Sequence, residues 1–371
     1  MLRTLSRTRS QTQTAPRRSN SRRPPSILVT AVDSPTYRRK QSSLTLPTEI
    51  VDRIIELALA AVAQGNDLFS SISSFSVASV HFRRIFMRRF LERVDLRSKK
   101  HWNWIFKLAR RHGIRNGGDC GLVEIKSLVA DSGTVITESS NLSDLVNLRK
   151  LNLSFEEEGP STQHTCVTVI FKNLHCASSL QELNLTFLPR IDITLLRLIS
   201  DSFPLLSNLH LSATDRVDNY NMIDICWCCF EELLSCSYHA PIPYMFSTPE
   251  GLATAFGQAL QKLKNLECLH LGVYLSDEEL WWNHIPCCKS GQPVSPEKCN
   301  KCQDLYSLTT RTREDAASTV LVSVLPSLRQ VSWSSYFNVK SKREGQFIGD
   351  SDGRVYFDVQ QDGRVLRRRV D

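Results

Sequence analysis

The sequence predicts an α/β chain: a small N-terminal helical unit followed by a curved stack of short parallel strands alternating with helices. Three observations predict it. A Leu-x-x-Leu-x-Leu motif returns as Leu148, Leu151, Leu153, then Leu180, Leu183, Leu185, then Leu206, Leu209, Leu211, then Leu266, Leu269, Leu271. Helix-like stretches such as ITLLRLISDSFPLL and TPEGLATAFGQALQKLKN lie between copies. Two stretches with apolar residues at helical spacing, LTLPTEIVDRIIELAL and LFSSISSFSVASVHFRRIFMRRFL, precede them all.

A three-residue step followed by a two-residue step suits a short strand entered from a turn, with alternate leucines pointing inward. Degenerate copies are Leu91, Val94, Leu96 and Leu328, Val331, Trp333; Leu122 and Ile125 in LVEIKSL make a weaker one. Between the middle residues of successive copies the steps are 31, 26, 32, 26, 60 and 62. The last two are about double, so they hold either insertions or further repeats. Asn152, Asn184, His210 and His270 each precede the last leucine of a copy. A strand plus a helix per repeat is the leucine-rich-repeat unit. One unit cannot bury its leucines alone, whereas stacked units share a core. A repeat domain over 92–339 is expected, with insertions near 212–248 and 281–318. RVYFDVQQDGRVLRRR closes residues 340–371 as a hairpin, two alternating runs around an Asp362–Gly363 turn.

Charge is unevenly placed. The net charge of +8 is carried by residues 1–43, which hold ten Lys and Arg and one acid, Asp33. The remaining chain nets −1, so a nucleic-acid surface spread over the folded part is not expected, and any such binding is assigned to the basic tail. A disordered tail is the reading of 1–43; its Arg- and Ser-rich start also has the composition of a mitochondrial transit peptide, which the Pro pair in RRPPS opposes. No apolar run approaches the roughly 18 residues of a membrane span, so a soluble protein of the cytoplasm or nucleus is expected, with its thiols reduced.

Residues 44–91 read as two or three helices. Pro47 sits where a helix starts, Glu49 and Asp52 favour its first turn, and Gly65 and Asn66 end it. At Leu46-Pro47, Glu49-Ile50, Ile54-Ile55 and Leu57, with FSVASVHFRRIFM downstream, the sequence resembles the F-box, and the order of F-box then leucine-rich strands resembles the F-box-like proteins of fungi. The chain departs from the best-known pattern at Ser79, Val80, His81 and Phe82, where no tryptophan stands. The resemblance implies a substrate-receptor subunit without catalysis of its own. Its helices would dock a Skp-type adaptor, and through it a cullin–RING ubiquitin ligase, while the repeats present a protein substrate. The implied adaptor contacts are Leu46, Pro47, Ile50, Ile54, Ile55 and Leu57, with Val77, Val80 and Phe82 behind. A leucine-rich-repeat scaffold without a ligase role is the alternative.

NHIPCCKSGQPVSPEKCNKC concentrates four cysteines and a histidine. His284-x-x-Cys287 and Cys299-x-x-Cys302 supply four soft ligands that suit a closed, structural zinc site; free thiols in a loop are the other reading. Redox catalysis would need the Cys-x-x-Cys at a helix start, and a loop after Pro296 is expected instead. Cys226, Cys228, Cys229, Cys236 and His239 alternate with apolar residues and read as core filling. No Walker-type loop, GxSxG, HExxH or GxGxxG occurs, so no catalytic residue is named and no cofactor is expected beyond that zinc.

Overall fold

Alternation decides where the strands lie. The computed structural model describes residues 46–62, 80–96, 98–115, 121–137, 139–174, 179–213, 246–276, 279–280, 299–337 and 353–368. Contacts divide the chain into two units, Met1–Leu46 and Pro47–Asp371, and every described helix and strand belongs to the second. Its nine described strands form one open sheet in strict chain order. Parallel strands β1 (Arg93–Leu96), β2 (Ser127–Asp131), β3 (Lys150–Ser154), β4 (Glu182–Leu188), β5 (Asn208–Ala213), β6 (Cys268–Tyr274) and β7 (Gln330–Ser334) come first. An antiparallel hairpin follows, β8 (Arg354–Val359) and β9 (Val365–Arg367). It turns through Gly363, whose φ of 80° favours glycine.

Register aligns the leucines into two inward rows. One runs Val94, Leu128, Leu151, Leu183, Leu209, Leu269, Val331; the other runs Leu96, Ala130, Leu153, Leu185, Leu211, Leu271, Trp333. All of them are buried in one continuous core. The first leucine of each motif closes the turn into its strand. There, two successive backbone N–H groups donate to one carbonyl of the preceding repeat: Gln181 and Glu182 to Arg149, Ser207 and Asn208 to Gln181, Glu267 and Cys268 to Ser207, Arg329 and Gln330 to Glu267. These bonds are 2.7–3.0 Å long, and Ser207 Oγ adds a donor to the Gln181 carbonyl at 3.0 Å.

The helices are α1 (Thr48–Val62), α2 (Val80–Glu92), α3 (Lys99–Arg115), α4 (Ser132–Thr137), α5 (Pro160–Asn173), α6 (Ile193–Ser202), α7 (Pro249–Leu260) and α8 (Asn300–Val324). Strands in chain order with right-handed crossovers place their connecting helices on one face of a sheet. Accordingly α5 packs on α6, α6 on α7 and α7 on α8. Asp192 caps α6 by accepting from Leu195 N at 2.8 Å, and Thr248 caps α7 by accepting from Gly251 N at 3.1 Å.

Several expectations change. The β2 copy of the motif is Ile125, Leu128, Ala130; Leu122 lies one step earlier, in a short 3-10 turn over Gly121–Glu124. The two double steps are insertions, because β5 pairs directly with β6 and β6 with β7. In the second insertion the 25-residue α8 starts at Asn300, inside the segment read as a loop, and 281–298 lie outside the described residues. Residues 214–245 of the first insertion lie outside the described residues.

Both flanks of the parallel sheet are covered. Helices α2 and α3 pack beside β1, and β8–β9 extends β7. Arg367 of β9 reaches back to α8, donating to Glu314 Oε2 at 2.8 Å, Asp315 Oδ1 at 3.0 Å and the Arg311 carbonyl at 3.1 Å. Glu314 is fully buried, and burial raises its carboxyl above the usual range against the pull of Arg367. One close approach inside the sheet leaves no room for a side chain. A Cβ on Gly272 would lie 2.7–2.8 Å from backbone atoms of Leu211, Ser212 and Ala213. Backbone cannot step aside, so Gly272→Ala should part β5 from β6 and cost about 1–3 kcal/mol or more, read as a lower urea midpoint.

Candidate functional site

Helix α1 is apolar on more than one face, so packing must choose which side it buries. The Pro47 carbonyl opens the helix by accepting from Ile50 N and Val51 N. Val51 and Ile55, both 1% exposed, then anchor α1 in the core. Ile50, Ile54 and Leu57 form a separate stripe at steps of four and three, about 100° around the helix from Val51 and Ile55, and are 49%, 41% and 56% exposed. Leu46, two residues before the helix, is 50% exposed, and Pro47 is exposed too. Of the residues expected to meet an adaptor, Ile55 is corrected: it faces the protein's own core. Phe82 is half-buried and packs against that core. Val77 and the side chain of Val80 lie outside the described residues.

An ion pair links α1 to α2. Arg89 of α2 donates from Nε to Asp52 Oδ1 at 2.8 Å and from Nη2 to Oδ2, and Arg88 Nη2 lies 3.7 Å from Oδ1. The Arg89 hydrogen bond holds the Asp52 carboxyl below its ordinary range. Glu92 completes the network through Arg89 and Lys126. The sequence reading has Asp52 favouring the first turn of α1, where the structure places only Glu49; the paired Arg88-Arg89 downstream is the available signal for its partner.

The face of the sheet opposite the leucines is polar and forms a second surface. Its central row runs Asp95, Val129, Asn152, Asn184, His210, His270, Ser332, Tyr356. At the C-terminal ends of β1–β4 a cavity of about 300 Å³ opens between Asp95, Asp131, Asn152, Ser154 and Thr186, with Val129 on its wall. The side-chain oxygens of Asn152 and Asn184 are buried and make no hydrogen bond to any described residue. Further along, the rings of His210 and His270 stack at 4.2 Å, His270 Nδ1 lies 2.9 Å from Ser332 Oγ, and Arg354 Nη2 lies 3.4 Å from His210 Nε2. The asparagines and histidines first noted as punctuation between leucines are therefore neighbours along one row.

Comparison with protein-family models, with curated proteins and with solved structures returns no match.

The cysteine site is half described. His284 and Cys287 lie outside the described residues, as do the cysteines of 226–236 and His239. Cys299 is the N-cap of α8, and Cys302 is buried in its first turn against Leu280, Phe337, Tyr306 and Tyr336. The Cys-x-x-Cys thus stands at a helix start, not in the loop expected after Pro296. Among the described residues no group of three or more His, Cys, Asp or Glu is gathered as metal ligands would be. Burial is the main force raising the Cys166 thiol, to about 12, and the Cys268 thiol less far, so both stay protonated at neutral pH.

The buried histidine makes the fold acid-sensitive. Desolvation chiefly, then His210 and Arg354, holds the His270 pKa well below 6.5. The unfolded chain takes up a proton near pH 6.5 that the folded chain refuses. The stability owed to neutral His270 is therefore fully present above about pH 6.5 and lost as pH falls. The melting temperature should drop between pH 7.5 and 5, and His270→Asn should flatten that dependence.

Proposed function

We propose that this chain is a substrate-receptor subunit of a cullin–RING ubiquitin ligase, docking a Skp-type adaptor through α1 and a protein substrate through its repeats. The observation that carries the reading is the division of α1: Val51 and Ile55 are sealed in the core, while Ile50, Ile54 and Leu57 face solvent on one stripe. Burying one such side chain is worth about 1.5–3 kcal/mol, so three of them form a strong anchor for an apolar groove. The Leu46-Pro47 start and the F-box resemblance name the class of partner.

Behind the helices, the one-strand-per-motif register and the strict chain order of β1–β7 support a leucine-rich-repeat solenoid. The cavity between Asp95, Asp131, Asn152, Ser154 and Thr186 supports its polar face as the surface that reads a substrate. Such a receptor works by proximity, raising the local concentration of target at the ligase, and needs no catalytic group of its own. Among the described residues no helix is long and apolar enough to cross a membrane.

The test separates the two sides of α1. Ile50→Glu combined with Ile54→Glu should abolish capture of a co-expressed Skp-type adaptor, at least about 100-fold in affinity, and leave the melting temperature unchanged. Ile55→Ala should do the reverse, costing about 2–5 kcal/mol of stability while folded molecules still bind. A wild-type chain that captures no adaptor would leave a repeat module whose α1 serves only as a cap.

A further inference from the structure

The near-neutral average of the folded part hides a sharp segregation of charge. Residues 80–115 hold twelve Lys and Arg against two acids, Glu92 and Asp95, a net of +10 in 36 residues. Since 44–371 nets −1, the rest of that stretch nets −11. The basic segment is α2, β1 and α3, the cap beside the first strand.

Helix α3 reads KKHWNWIFKLARRHGIR and contains no acid. Trp102, Ile105, Phe106 and Ala109 bury one face in the core. Lys100, Trp104, Lys107 and Arg111, at steps of four, three and four, line the opposite face and are all exposed. Trp104 is 37% exposed and meets Phe90 of α2 edge to face, with ring centroids 6.4 Å apart. Exposed Arg83, Arg84 and Arg88 extend the charge onto α2. Arg84, Arg93, Lys100, Lys107 and Arg111 make no ion pair with any described residue.

This pattern is costly for a helix on its own. Like charges three or four apart repel, and Lys99 and Lys100 stand at the positive end of the helix dipole. An ordinary solvated face interleaves signs instead. We propose that the α2–α3 face binds single-stranded nucleic acid, with Lys100, Lys107 and Arg111 on phosphates and the indole of Trp104 as a stacking platform for a base. An aromatic ring set among cations is how sequence-tolerant single-strand surfaces are built. A membrane fits less well, because the apolar face of α3 is already buried and cannot insert. An acidic protein segment has no use for the exposed ring. The inference stands apart from adaptor docking, which uses α1.

The test is fluorescence anisotropy of labelled 20-nucleotide single strands, RNA and DNA, with the full chain between 50 and 200 mM salt. Wild type should bind; whichever strand binds tighter names the physiological source. The triple variant Lys100→Glu, Lys107→Glu, Arg111→Glu should bind at least about tenfold more weakly and flatten the log–log salt slope by about 2, the loss of three phosphate contacts. The Gln triple variant should do the same in smaller measure, with an unchanged melting temperature. Trp104→Ala should weaken binding about fivefold or more without altering the slope. The basic 1–43 segment is common to all these proteins. Absent wild-type binding, or triple variants indistinguishable from wild type, would overturn the proposal. So would displacement by polyglutamate at equal charge together with an inert Trp104→Ala, which would make this an acidic-protein surface.

Discussion

Everything in this molecule depends on one constraint: a strand carrying two inward leucines cannot bury them without the strand on either side. The shared register of the two leucine rows turns that local need into a core that is continuous from Val51 in α1 to Phe357 in β8. The constraint cannot be met at the ends of the row by another repeat, so each end needs a different cover. At the last parallel strand the cover is a hairpin, fastened by Arg367 to the buried Glu314 and lying with its guanidinium 4.9 Å from the Phe357 ring. Arg367 thus ties the three-residue edge strand to α8 as well as to its sheet neighbour. At the first strand the cover is α1–α3.

That first cover is where the surface departs most from what stability alone would choose. Three apolar side chains of α1 face water, and α3 shows a row of cations around a tryptophan. Both faces belong to elements whose other side is locked into the core, so each is displayed on a rigid support. The Asp52–Arg89 pair ties α1 to α2, and the Phe90–Trp104 contact ties α2 to α3. A partner on either face therefore meets a preformed surface.

Much of the fold was legible because the leucine motif reports strand position directly: six of the seven parallel strands fall on copies with the right middle residue. The β2 copy slipped by three residues because Ile125 and Leu122 repeat the motif's own three-residue step. Helix α8 was invisible for a physical reason. Its buried side includes Thr310, Glu314 and Ser318, and Ser318 is there to accept from the Trp333 indole at 2.9 Å, so no apolar period marks it. The α1 site was legible as a set of residues but not as a face. Ile50, Val51, Ile54 and Ile55 are all apolar, and only packing decides which pair turns outward. Averaging concealed the basic cap, since +10 and −11 cancel in a sum over the folded chain.

The central claim is that the outer stripe of α1 is a docking face and its inner stripe a structural one. Amide hydrogen exchange of the full chain, alone and with a Skp-type adaptor, tests it most directly. The account predicts new protection confined to residues 46–62, with β3–β7 exchanging as slowly as before. Unchanged exchange across α1, or protection appearing only on the sheet, would contradict it.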